Sequence, residues 1–129
     1  MALPSPSTTS LEVEFTHLRS TRGVLQICLT TEAGDFPDCR NGHTAIKRTI
    51  SASTPRVRFT GLPLGTYAIA VIHDANSNER LDTFMGMPRE GFGFSRNPAI
   101  GFGPPRFSAA SFGVGSDAPA QQVRIRYLL

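Results

Sequence analysis

Residues 73–82, HDANSNERLD, put oxygen-bearing side chains at alternate positions directly after an apolar stretch. Counting Asp74 as position one, Asn76 and Asn78 fall at three and five, Arg80 at seven and Asp82 at nine. Calcium takes about six to eight oxygens, and a loop that curls round the ion supplies them at alternate positions, one of them from a backbone carbonyl. Asp74, Asn76, Asn78, the Arg80 carbonyl and Asp82 are therefore candidate calcium ligands. The set is poor in charge. Position twelve is Met85, where a bidentate acid would strengthen binding, and position six is Glu79, where a sharp turn favours glycine. Such a site belongs with weak extracellular modules, of dissociation constant on the order of 10⁻⁴–10⁻³ M. The same residue types also suit a metal-free turn in which Asp and Asn side chains accept from backbone N–H groups. Both accounts stand on the residues alone.

Other chemistry is sparse. His73 lies on a run that is apolar on both faces, which suits a core histidine bonded to backbone. His73 and Asp74 are neighbours on a strand, so they point to opposite faces and form no dyad. The sequence has no nucleophile elbow, zinc-protease helix, phosphate loop or C-x-x-C pair. A hydrolase using Asp74, Asp82 and Glu90 is the weakest reading, and the chain is expected not to be an enzyme. Phe92, Phe94 and Phe102, with Arg96 beside them, could instead stack against a small ligand or carbohydrate.

Cys28 and Cys39 enclose ten residues that include Gly34 and Pro37, enough to turn back and join the thiols. On the loop-entropy account that bridge stabilises the fold by roughly 2–3 kcal/mol. It implies an oxidising compartment, hence a periplasmic or extracellular location. The Pro/Ser/Thr-rich start, MALPSPSTTS, has no signal-peptide pattern. The expectation is a mature exported chain whose signal has been replaced by an initiator methionine.

The elements that must carry these residues are strands. LEVEF (11–15), GVLQICLTT (23–31), TAIKRTIS (44–51), RVRFTGL (56–62), GTYAIAVIHD (65–74), RFSAASFGV (106–114) and QQVRIRYLL (121–129) keep to period two or read as buried runs, with turn signals between them. That predicts an all-β fold, a seven-stranded sandwich of the immunoglobulin-like or transthyretin-like kind, over residues 10–129 behind a flexible tail, 1–9. Residues 86–105, GMPREGFGFSRNPAIGFGPP, read as one long Gly/Pro/Phe-rich loop. The longest apolar run, Tyr67–Ile72, is far short of the roughly 20 residues that span a bilayer. With 13 basic and 10 acidic residues, the net charge of +3 offers no nucleic-acid arm. Arginines alternate with apolar residues in PRVRF (55–59) and VRIRY (123–127), which suits either a solvated sheet face or a dock for an anionic polymer or lipid surface.

LPLGTYAIAVIHDANSNERLDTFMGMPREGFGFSRNP, followed by FGPPRFSAASF, resembles the bacterial DUF2141 family, with its G-x-Y-A strand, H-D-x-N-x-N loop ending in L-D, G-x-P-x-E-G-[YF]-G-F-S segment and late P-x-F-x-x-A-x-F. The resemblance spans Leu62–Phe112 and implies a small exported β-sandwich with no activity to transfer. Glu79, where glycine is common in the family, and the VRIRY arginines depart from that pattern. The family-like spacing tips the 74–82 loop towards calcium. The expected role is a binding or structural component of the cell envelope, its partner an envelope protein, polymer or small ligand.

Overall fold

The computed structural model of the chain describes residues 7–39, 45–77, 83–84, 87–88, 90–100 and 103–128. Its strands are β1 (Thr8–Thr16), β2 (Val24–Thr30), β3 (Ile46–Ser51), β4 (Arg56–Pro63), β5 (Gly65–Asp74), β6 (Thr83–Phe84), β7 (Met87–Pro88), β8 (Gly91–Phe94), β9 (Phe112–Val114) and β10 (Ala120–Arg124). The one α-helical turn among the described residues is α1 (Phe107–Ala110). Eight strands form two sheets, β10–β1–β4 and β3–β2–β5–β8, with β9 also paired to β5; β6 and β7 make a separate ribbon. The fold is all-β.

Alternation decides which side chains meet. Leu11, Val13 and Phe15 of β1, Phe59 and Leu62 of β4, and Val123 and Ile125 at the end of the chain share a core with Leu25, Ile27 and Leu29 of β2 and Tyr67, Ile69 and Val71 of β5. The two sheets therefore bury their facing sides against one another. Each such side chain stabilises the fold by about 1.5–3 kcal/mol relative to leaving it in water. β5 is apolar on both faces for a reason the second cluster supplies. Its outward Ala68 and Ala70 lie under a layer in which Cys28, Cys39, Phe92, Phe94 and Ala110 pack with Phe36 and Phe107. The five-stranded sheet is thus covered twice, by its partner sheet and by loops.

The structure departs from the sequence expectation in two places. The stretch 86–105 is not one loop, because Gly91–Phe94 pairs antiparallel with Ala70–His73 as β8. Its inward positions, Gly91 and Gly93, are glycines, so no large apolar side chain marks its core-facing side. Arg106–Val114 is not one strand either: α1 and β9 divide it. The Ser95 hydroxyl explains the break, since it donates to the Ala110 carbonyl at the helix end and accepts from the Ile69 N–H of β5.

β10 closes one side of the structure. It runs parallel to β1 as far as Thr16↔Arg124. The Ile125 N–H then donates to Thr16, and Arg126 exchanges both backbone hydrogen bonds with Phe92 of β8, at 3.0 and 2.8 Å. The chain passes from one sheet to the other within two residues. The opposite side is left to the end strands β3 and β4. Arg48 of β3 pairs in register with Ile27, on the inward face, and its guanidinium lies 5.4 Å from the Phe59 ring of β4. An inward-pointing charge at that seam discourages edge-to-edge pairing with another chain.

Candidate functional site

The first sequence-predicted ligand, Asp74, ends β5 on the outward face of its sheet. It is 1 % exposed, and its Oδ2 accepts from the Gln26 Nε2–H at 3.3 Å. The Asp74 carbonyl accepts from the Ser77 N–H and closes a turn in which Asn76 is exposed. Asn78, Arg80 and Asp82 lie outside the described residues, and so does Phe102. β5 and β8 pair as far as His73↔Gly91, so Glu90 follows at the strand end beside Asp74, and it too is buried. Two buried acids therefore lie at one end of the β5–β8 pair, Asp74 closing β5 and Glu90 preceding β8. Among the described residues no group of three or more His, Cys, Asp or Glu side chains is placed to hold a metal.

His73 turns the other way. Its Nε2 lies 2.8 Å from the Arg22 carbonyl, which can only accept, so Nε2 carries a proton. In the neutral ring Nδ1 then accepts from the Tyr127 hydroxyl, 2.7 Å away. The same hydroxyl accepts from the Arg19 N–H, and the Arg19 guanidinium sits 4.3 Å from the Tyr127 ring centre. Burial pushes the Tyr127 phenol above its ordinary pKa, opposed by the backbone hydrogen bond and charge of Arg19. The phenol therefore remains a donor. Both ring nitrogens of His73 are engaged in holding the chain end to the β2 entry.

Phe92 and Phe94 are 9 % and 8 % exposed. Phe94 packs against Phe92 and Phe36, with ring centres 6.0 and 5.8 Å apart, and Phe107 meets Phe36 edge-on at 6.1 Å. The disulfide Cys28–Cys39, with Cα atoms 5.7 Å apart, fastens the segment that carries Phe36 over this cluster. Arg96 is exposed and donates from Nη1 to the Ser111 carbonyl at 3.4 Å. Beside the rings, Pro98, Ile100, Arg124 and Arg126 line a depression with no enclosed space the size of a water molecule.

Asn97 carried no signal in the sequence beyond its Asn-Pro dipeptide. Its Oδ1 accepts from the Arg124 N–H at 2.8 Å, and its Nδ2–H donates to the Gln122 carbonyl at 3.3 Å. The side-chain amide thus stands in for a neighbouring strand along the free side of β10. Its backbone φ of 48° lies in the left-handed region that asparagine tolerates better than most residues.

The family model described as an uncharacterised protein conserved in bacteria (DUF2141) matches residues 13–122, and the chain belongs to that family. No curated protein matches the chain. No solved structure matches it.

Proposed function

We propose that this DUF2141 protein is a non-enzymatic, exported β-sandwich module, of the immunoglobulin-like or transthyretin-like kind, that serves as a binding or structural component of the bacterial cell envelope. The observation that supports the reading best is the burial of Phe92 and Phe94 under the disulfide-fastened segment. Rings available for stacking would line an open cleft; these fill an outer layer. Gly91, Gly93 and Ser95, from the same motif, are also occupied in closing the sheets and in fastening α1. The family signature is then a folding signature, and its natural place is an oxidising compartment, periplasmic or extracellular.

Calcium is part of the proposal. Asp74, Asn76, Asn78, the Arg80 carbonyl and Asp82 would wrap the ion, and the alternate spacing of their oxygens along the chain supports the reading.

A thermal-melt screen tests both parts. An ion that binds only the folded state raises stability by RT ln(1 + [L]/Kd), about 1.4 kcal/mol at ten times Kd. Millimolar calcium should move the midpoint up by several degrees, chelator should reverse it, and Asp74→Ala should abolish the increment. Magnesium, which demands tighter octahedral geometry, should substitute poorly. Envelope saccharides should leave the midpoint unchanged. A saccharide-dependent rise that Phe92→Leu removes would favour the alternative, a carbohydrate or small-ligand binder, and indifference to calcium would leave the loop a plain polar turn.

A further inference from the structure

The two arginine pairs of the sequence are not equivalent in the fold. On the outer face of the three-stranded sheet, Glu12 pairs in register with Arg58, and Glu14 with Arg56. Each β4 arginine thus has a carboxylate directly across the ladder. On the other side of β1, Thr16 stands opposite Arg124 and Glu14 opposite Gln122. Arg124 has no acid across from it, and Arg126 has passed beyond β1 to pair with Phe92. Both arginines line the depression bordered by Pro98 and Ile100, and among the described residues no acid lines it. The Asn97 side chain, which also lines it, holds the Arg124 backbone. Arg126 donates to the Asn97 carbonyl, which ties the cluster to one turn.

We infer that Arg124 and Arg126 form a docking surface for an anionic lipid headgroup layer. Three features select that occupant. Unopposed guanidinium groups suit phosphate oxygens, which they bind through paired N–H donors. The depression is shallow, with no enclosed space the size of a water molecule, so it fits a surface better than a small molecule taken inside. An added peptide strand is excluded from β10, whose free side is already occupied by Asn97 and by Phe92. Half-buried Pro98 and Ile100 give the arginines an apolar border at the depth of the headgroups. The inference names what the proposed envelope module docks on, and rests on that reading only for where the lipid is met.

Co-sedimentation of the full chain with phosphatidylglycerol vesicles at low ionic strength is the test, with phosphatidylcholine vesicles beside it. The protein should partition onto the anionic vesicles and be released by 0.5 M salt, roughly the regime in which screening lengths fall to a few ångströms. Arg124→Gln with Arg126→Gln should lower the partition coefficient about tenfold or more. Arg124→Gln alone, at an exposed side chain, should lower it severalfold with an unchanged melting temperature. Arg56→Gln with Arg58→Gln removes the same charge from the acid-matched face and should have a much smaller effect. Equal loss in both double variants would mean attraction by net charge alone and would overturn the surface. So would equal binding to both vesicle types, or equal inhibition by soluble polyglutamate acting as a preferred acidic-polymer partner. Failure here with the protein still found in the envelope would reject the lipid surface and leave the module reading intact.

Discussion

Gly93→Ala is expected to lower the melting midpoint by on the order of 10 °C, the size of shift that about 2–3 kcal/mol produces in a domain of this length. The methyl group would lie 2.6 Å from the Arg124 carbonyl oxygen and 3.0 Å from a Val123 methyl. The first is backbone, so no rotamer change relieves it, and β8 must part from the end of β10. That parting would break the paired hydrogen bonds between Phe92 and Arg126, which join the two sheets. Gly91→Ala meets the side chains of Ile125 and Tyr127 instead, and would displace the phenol that holds His73. Gly113→Ala is the control, because nothing lies within 4 Å of its added methyl. Differential scanning calorimetry of the three variants checks the ranking. An unchanged midpoint for Gly93→Ala would mean that the β8–β10 closure contributes little to stability.

These glycines also explain which parts of the molecule could be read from the sequence. The strands β1, β2 and β5 announce themselves because the core-facing side of each carries large side chains at every second position. β8 does not, since its face towards the partner sheet is glycine, and its buried phenylalanines occupy the opposite face, beneath a layer supplied by distant segments. A run of GFGF flanked by proline therefore reads as loop until the partner strand is known. The disulfide was legible because a ten-residue segment with glycine and proline can close on itself. The layer it fastens was not, because Phe36, Phe94 and Phe107 come from three separate stretches. At the 74–82 loop, the alternating oxygens were visible, whereas the placement of Glu90 beside Asp74 depends on the β5–β8 register. The contrast between matched and unmatched arginines likewise depends on β1 lying between β4 and β10.

Replacing Cys28 and Cys39 together by serine should cost about 2–3 kcal/mol, from the denatured-state entropy that an 11-residue separation restores. Further loss comes from the outer layer. The Cys39 backbone is held by the Asp35 carbonyl, and Phe36 follows directly in that loop, so freeing it loosens the ring contacts with Phe94 and Phe107. Urea unfolding of the oxidised protein and of the double variant measures the difference. A change under about 0.5 kcal/mol would contradict a fastening role for the bridge. Dye binding to exposed apolar surface should rise in the variant before global unfolding, because the layer over Phe92 and Phe94 opens first.

The envelope account depends most directly on where the chain resides and in what redox state. The decisive measurement is fractionation of the bacterium that makes the protein, with thiols alkylated in intact cells before lysis. Protein recovered with the periplasmic, outer-envelope or secreted fraction, with Cys28 and Cys39 unmodified until a reductant is added, is the predicted result. Protein recovered in the cytoplasm with both thiols alkylated would contradict it.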